Sequence, residues 1–180
     1  MFGFNKKKPL IEGPVEFEAE VAIDAPASKV YRLLDVADPG FGQIELGNTV
    51  KRVPATQNEF HLSLVGLEDL TFCMRVLNAE PHSRITNECV IEPRFGNLVK
   101  AIEDHVIEAT GENSCKVVQR TTATFVDGIS DPEIAAEIAL MSAAVENDLF
   151  KLKVHAEEGA EAVAALDDDG FAEIEIEDWC

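Results

Sequence analysis

The sequence predicts an α+β fold with seven antiparallel strands, two short helices after the first strand and one long C-terminal helix. Three observations lead to this prediction. Apolar and polar residues alternate in segment 15–24, short strand-like segments separated by turns fill residues 48–126, and an apolar stripe with a helical repeat begins after residue 130. A chain of 180 residues, 46% of them hydrophobic and 27% charged, can bury a substantial core within one domain.

The first strand is predicted from the sequence VEFEAEVAID, residues 15–24. Its apolar side chains fall on one face and its glutamates on the other, which is typical of a half-buried strand. The next segment, APASKVYRLLD, changes to a helical period, with Val30, Leu33 and Leu34 on one side. Pro39 and the glycine after it end this helix, and a second short helical segment is expected before residue 47.

Six further strands are predicted between residues 48 and 126 because β-branched and aromatic residues cluster between turn residues. The connections between them are short, and short connections join neighbouring antiparallel strands. The predicted strands therefore form a meander, with bounds at 48–54, 59–66, 70–78, 83–92, 100–109 and 115–126.

A long helix is predicted to begin after Ser130, because Ser130 and Glu133 have the spacing of a capping box and Pro132 suits a first turn. The helix is expected to end near Gly159. We interpret its apolar stripe as packing on the sheet rather than as a coiled-coil seam, because polar residues interrupt the heptad. The stripe consists of Ile134, Ile138, Met141, Val145, Leu149 and Leu152.

The segment VAIDAPASKVYRLLDVAD resembles the opening of the START-like SRPBCC superfamily, with a strand, an Ala-Pro turn and a Val-aromatic-x-x-Leu helix. The resemblance extends over roughly residues 15–155. It implies the helix-grip fold, in which a curved seven-stranded sheet wraps around the long C-terminal helix and encloses an apolar cavity. Within the superfamily the chain looks most like the polyketide cyclase/dehydrase and lipid-transport branch. That branch contains carriers and a few enzymes, so the fold does not decide the activity.

On this basis we predict a flexible N-terminal segment at 1–14, a START-like ligand-binding domain at 15–159 and an acidic tail at 160–180. The net charge is −19, and the last 25 residues contain ten acidic residues and no Lys or Arg. Such a charge repels phosphate backbones, so nucleic-acid binding is not expected.

A cytoplasmic protein without integral membrane association is expected. No apolar run approaches the ~20 residues that span a bilayer. The N-terminal sequence MFGFNKKKPL has its basic residues after its apolar ones, which is the reverse of a secretory signal. The cysteines and histidines lack the spacing of metal ligands, and no nucleotide-binding motif is present, so we predict neither a metal nor a cofactor.

The sequence AIEDHVIEA, which ends at Ala109, places three ionisable residues between apolar ones. If this strand and the next form a hairpin with Ala109 opposite Cys115, opposite charges face each other across the strands, which indicates the solvent side. Asp104 is then predicted to be a solvated residue. The two facing pairs are Asp104 with Arg120 and Glu108 with Lys116.

The same register turns Glu103, His105, Gln119 and Thr121 towards the interior as a compact polar cluster. We interpret Glu103 as a group that orients or charges His105, which then hydrogen-bonds to a cavity ligand or exchanges a proton with it. The competing interpretation is a self-satisfied polar patch, because a buried carboxylate must be paired whatever its purpose. A slip of one residue in the register would turn the cluster outwards.

Further cavity residues are expected on neighbouring strands and in one loop, although core packing explains the strand residues almost as well. The loop after the fifth strand has an aromatic residue beside glycine, which suits a gate. These additional ligand-binding candidates are Phe72, Met74, Val76, Ile107, Val117 and Phe95.

Three functions compete at this point. The first is a carrier or sensor of a small, mostly apolar ligand such as a lipid, a polyketide-like molecule or an aromatic compound. The second is a cyclase or dehydratase that uses His105 and Glu103, and whether the protein is an enzyme stays open, with a binding protein favoured. The third is a protein-interaction module, similar to chaperone-activator relatives of the fold, whose tail adds a strand to a partner. The apolar residues of that tail are Phe171, Ile174, Ile176 and Trp179.

Overall fold

A computed structural model describes residues 13–168 of the chain, and this part contains seven strands and four helices. The predicted α+β class and the predicted order of strands and long helix are confirmed. The elements are β1 (Val15–Ile23), α1 (Ala27–Leu34), α2 (Gly42–Glu45), β2 (Thr49–Arg52), β3 (Glu59–Ser63), β4 (Thr71–Glu80), β5 (Arg84–Glu92), β6 (Leu98–Gly111), β7 (Ser114–Phe125), α3 (Asp131–Glu158) and α4 (Ala160–Asp168).

All seven strands form one curved antiparallel sheet with the order β1-β7-β6-β5-β4-β3-β2. Strands β2 to β7 pair with their sequence neighbours, as the short connections predict, and β1 pairs with β7. The β6–β7 register is the predicted one, with Ala109 opposite Cys115 and His105 opposite Gln119. Since side chains alternate between the two faces of a strand, this register fixes which polar residues point inwards.

Helix α3 packs its apolar stripe against the inner face of the sheet. Val145 and Leu149 are 6% and 3% exposed and belong to the main core cluster, together with Ile85, Ile107 and Val117 from the central strands. Burying an aliphatic side chain of this kind contributes roughly 1.5–3 kcal/mol. The long helix therefore closes the core of the domain.

Both ends of α3 are fixed by specific contacts. At its N-terminus the backbone N–H of Ser130 donates to Glu133 Oε2 at 3.0 Å, as in the predicted capping box. At its C-terminus Glu157 Oε1 accepts the backbone N–H of Asp24 at 2.7 Å, which joins the helix to the end of β1. Gly159 then ends the helix with a φ of 100°, a conformation that favours glycine.

Helix α4 was not predicted, because the sequence analysis assigned residues 160–180 to an acidic tail. In the structure α4 follows Gly159, and its Val163 is 1% exposed. The described structure thus continues past the predicted domain boundary at 159. Residues 1–12 of the predicted flexible segment lie outside the described residues. The apolar residues of the tail also lie outside them, namely Phe171, Ile174, Ile176 and Trp179.

The charged residues on the outer face of the sheet do not pair as predicted. Arg120 Nε lies 2.6 Å from Glu18 Oε2, and Lys116 Nζ lies 2.7 Å from Glu20 Oε2. Both basic groups therefore bind carboxylates on β1 rather than those opposite them on β6. A strand inside a sheet has two neighbours, and a hairpin register alone does not decide which neighbour a long side chain selects.

Asp104 is on the outer face, but it is not the solvated residue that was predicted. Its side chain is 14% exposed and accepts hydrogen bonds from Arg84 Nε at 2.8 Å and from Thr86 Oγ1 at 2.7 Å, both on β5. The Arg84 and Thr86 hydrogen bonds hold the pKa of Asp104 below its ordinary value, although partial burial opposes this shift.

No helix within residues 13–168 is long and apolar enough to cross a membrane.

A carboxylate at Val163 tests whether α4 is part of the folded domain. We expect Val163→Asp to lower the melting temperature by several degrees, because it places an unpaired charge at a buried position. Ala164→Asp adds the same charge at an exposed position of the same helix and should leave the melting temperature nearly unchanged. Equal melting temperatures for both variants would show that α4 does not contribute to the core.

Candidate functional site

A cavity of about 270 Å³ lies between the inner face of the sheet and helices α1, α2 and α3. Each of these elements contributes side chains to it, so the cavity exists only when helices and sheet are assembled. Its lining consists of Leu33, Leu34, Phe41, Gly42, Gln43, Leu46, Leu62, Leu64, Phe72, Met74, Asn87, Cys89, Glu103, His105, Gln119, Asp148, Leu149, Lys151, Leu152 and His155.

One side of the cavity is apolar. Leu62 on β3 and Phe72 and Met74 on β4 line it, and their register places Leu62 opposite Phe72. Phe41, from the segment between α1 and α2, is 7% exposed and packs in the same cluster. This wall can accommodate the apolar body of a ligand.

The neighbouring region of the sheet, on β5 to β7, is polar. Asn87 on β5 lies opposite Glu103 on β6, and His105 on β6 lies opposite Gln119 on β7. All four line the cavity. The fifth polar residue, Thr121, is 1% exposed and accepts a hydrogen bond from Gln119 Nε2 at 3.4 Å. The predicted polar cluster is thus present on the inner face, enlarged by Asn87.

His105 is a neutral hydrogen-bonding group in this environment. Its side chain is 6% exposed, and burial lowers its pKa to about 4, although a hydrogen bond with Gln119 and the charge of Asp104 act in the opposite direction. Its Nδ1 atom is buried and has no hydrogen-bond partner within the described part of the chain. Of these opposing effects on the pKa, that of burial is the largest.

Glu103 is a carboxyl group that faces the cavity. Burial raises its pKa to about 7, and the negative charge of Asp148 adds to this shift. The predicted partnership with His105 is not seen among the contacts of residues 13–168. The interactions that shift the pKa of His105 come from Gln119 and Asp104, not from Glu103. The two groups share a wall but do not orient each other.

Asp148 and Lys151 of α3 are cavity residues that the sequence analysis did not identify. In the sequence Asp148 is one of the polar residues that interrupt the heptad, and it was given no other role. Its position, however, is seven residues after Met141, three after Val145 and four before Leu152, which places it at the edge of the inward stripe. Asp148 keeps contact with solvent at the edge of the cavity. The surrounding protein nevertheless raises its pKa, and the charge of Lys151 opposes this shift. Helical spacing could have found this carboxylate.

A hydrogen bond joins α2 to α3 beside the cavity. His155 Nε2 lies 2.9 Å from Glu45 Oε2, and the His155 side chain is 4% exposed. Gly42 allows this approach, because a Cβ at its position would lie 3.1 Å from the Leu33 carbonyl oxygen and 3.3 Å from His155 Nδ1. This contact was also absent from the sequence analysis, since the two residues are 110 positions apart.

The remaining ligand-binding candidates lie in different places. Phe72 and Met74 line the cavity, whereas Val76 packs against the neighbouring apolar cluster. Ile107 and Val117 are buried in the main core. Phe95 does not line the cavity, and its loop is tied to α3 by a hydrogen bond of 2.8 Å from Asn97 Nδ2 to Glu137 Oε1. Their use by a ligand stays a prediction.

A titration can test the shared environment of the two carboxyl groups. We expect Asp148→Asn to lower the pKa of Glu103, because it removes a negative charge that opposes ionisation. The measurement is carboxyl ¹³C NMR, with the resonance assigned by its loss in Glu103→Gln. Glu146→Gln removes a charge from an exposed position of the same helix and should not move the midpoint. An unchanged midpoint in Asp148→Asn would mean that Asp148 and Glu103 do not interact across the cavity.

No protein-family model matches this sequence, and no curated protein matches it either. Solved structures do match. The di-domain ARO/CYC protein BexL from the BE-7585A biosynthetic pathway superposes with a TM-score of 0.65 and 21% identity, over 79% of this chain and 46% of BexL. The chain thus spans less than half the length of that two-domain protein.

Two further structures superpose over most of both chains. Ara h 8.0201 has a TM-score of 0.59 and 14% identity, with 85% of this chain and 99% of the other covered. An uncharacterised protein from Rhizobium leguminosarum has a TM-score of 0.53 and 16% identity, and the match covers 77% of this chain and 94% of the other. Identities this low establish the fold alone. The chain therefore has the helix-grip fold, as the resemblance of its first strand and helix implied.

Proposed function

We propose that the protein binds a small, mostly apolar ligand with one polar group in the cavity between the sheet and α3. The observation that carries this proposal is the division of the cavity into an apolar wall and a polar wall. Ligand sites are typically concave and mostly apolar, with a few polar groups that fix the ligand's orientation. The cavity has this composition.

The arrangement of the walls supports one orientation of the ligand. The apolar body packs against Leu62, Phe72 and Met74, and the polar group lies near Asn87 and His105. Buried polar atoms without partners are costly, at about 1–3 kcal/mol each. Asn87 Oδ1 and His105 Nδ1 are two such atoms, so a ligand that hydrogen-bonds to them gains more than one that is apolar throughout.

The size of the cavity supports a compact ligand. Its volume of about 270 Å³ lies near the lower end of the roughly 300–1,000 Å³ that small-molecule sites occupy. A compound with one or two rings suits this space better than a long-chain lipid. The likeness to BexL, whose name describes an ARO/CYC protein of a biosynthetic pathway, supports an aromatic or polyketide-like compound.

A cyclase or dehydratase activity is the second candidate, and the pKa of Glu103 favours it. A general acid or base is most effective when its pKa lies near the working pH, and that of Glu103 is about 7. Neutral His105 would donate or accept a hydrogen bond at a carbonyl or hydroxyl oxygen of the substrate. No hydrogen bond joins the two side chains in the described part of the chain, so they would act on different atoms of the substrate.

Replacing His105 tests the binding proposal. We expect His105→Leu to weaken binding of a neutral amphipathic probe such as 2-naphthol by about 1–3 kcal/mol, or roughly 5- to 150-fold, because the polar group loses its partner while the apolar wall is kept. Affinity is measured by fluorescence titration, and the melting temperature without ligand shows that the variant is folded. His61→Leu changes an exposed histidine of β3 that does not line the cavity, and it should bind like the wild type.

Equal affinities for wild type and His105→Leu would contradict the proposed role of the cavity's polar wall. An enzyme would show a further property. Repeated turnover of a β-hydroxy ketone, lost in Glu103→Gln but retained in Glu108→Gln on the outer face of the same strand, would favour the cyclase or dehydratase function over simple binding.

A further inference from the structure

We propose that the polar group of the ligand is a protonated amine, which forms an ion pair with Glu103 inside the cavity. The inference rests on the proposed binding function and names the chemical class of the ligand. It follows from three features around the polar wall: a carboxyl group without a partner, a second carboxyl group on α3 that adds negative charge, and two further polar atoms without partners.

Glu103 has no partner within the described protein. Its carboxyl group lines the cavity, and no hydrogen bond or ion pair joins it to another side chain of residues 13–168. Its cross-strand neighbours on β5 and β7 are Asn87 and Thr121, which are both uncharged. A buried carboxylate is stable only when it is paired or loses its charge. Near neutral pH Glu103 is partly protonated, and the positive partner that would stabilise its carboxylate has to come from the ligand.

The charged groups of α3 do not neutralise the negative charge of the Glu103 carboxylate. Asp148 faces it from the helix and adds negative charge to the same space. Lys151 is the cavity's lysine, and its charge acts on Asp148, where it lowers the pKa. Lys151 is not among the groups that shift the pKa of Glu103. A cation that enters beside Glu103 thus meets a net negative environment.

The remaining titratable groups around the cavity supply no cation at this point either. His105 is neutral at pH 7, because its pKa is about 4. On β5, burial and then the charge of Glu103 raise the pKa of the Cys89 thiol, which keeps it protonated and uncharged. His155 Nε2 lies 2.9 Å from Glu45 Oε2, so this ring is already paired at α2. An anionic ligand would meet repulsion here, and a neutral one would leave Glu103 unpaired.

The number of hydrogen-bond acceptors fits an ammonium group. An ammonium has three N–H donors and no acceptor. Around the polar wall, Asn87 Oδ1 and His105 Nδ1 are without partners, and the side chains that carry them are 3% and 6% exposed. Gln119 donates through Nε2 to Thr121. The side-chain oxygen of Gln119 is then left to accept the ring N–H of His105. Nδ1 then keeps its lone pair for the ligand.

Three probes with one apolar body separate the possibilities: 2-naphthylmethylamine, 2-naphthalenemethanol and 2-naphthoic acid. At pH 8 we expect the amine to bind at least about tenfold more tightly than the alcohol, and the acid to bind most weakly, because only the amine pairs with Glu103. Affinities are measured by isothermal titration calorimetry on the full chain.

Substitution of Glu103 assigns the preference to one residue. Glu103→Gln should reduce amine affinity by about tenfold or more and change alcohol affinity by less than about twofold. Glu108→Gln removes the same charge from the exposed face of the same strand and should leave all three affinities unchanged, which controls for the general attraction of cations to a protein of net charge −19. At pH 7 the amine should release protons from the wild type but not from Glu103→Gln.

The outcomes that contradict the inference differ from those that contradict the binding function. If the alcohol binds in a His105-dependent manner and the amine binds no more tightly, the inference is wrong and the binding function stands. If Glu103→Gln keeps the full preference for the amine, the ion pair with Glu103 is wrong. If none of the three probes binds, both proposals are overturned.

Discussion

The packing of α3 on the inner face of the sheet is the contact on which the rest of the structure depends. Val145 and Leu149 pack the apolar stripe against the central strands, and the hydrogen bond from the backbone N–H of Asp24 to Glu157 Oε1 fixes the far end of the helix to β1. The same placement brings Asp148 to the cavity. The helix thus both closes the core and completes the wall opposite the polar strands.

Exclusion of solvent by this packing sets the protonation of the site. Burial disfavours charge of either sign, so it raises the pKa of Glu103 to about 7 and lowers that of His105 to about 4. The free site is therefore less charged at neutral pH than its sequence implies. A ligand that supplies a positive group would restore the carboxylate of Glu103, and a neutral ligand would not.

The helix-grip fold provides the cavity, whereas the side chains that line it would select the ligand. The structural neighbours share the fold at identities of 14% to 21%, and a shared fold does not imply a shared function. In the proposed binding function, specificity for the ligand depends on the polar groups of β5, β6 and β7, and on how far the charge of Glu103 is left unpaired. The cavity's apolar residues on β3 and β4 would limit the size and shape of the ligand instead.

The sequence by itself determined the features that depend on local periodicity. Alternation along β6 and β7 and the short turn between them placed Glu103, His105, Gln119 and Thr121 on one inner face, and the register confirmed this. Tertiary structure alone decided which residues meet across distant elements. It joined Glu45 to His155 over 110 positions, added Asn87 to the polar wall and directed Arg120 to β1 rather than β6. It also decided the pKa of His105, because the degree of burial arises only when helix and sheet are assembled.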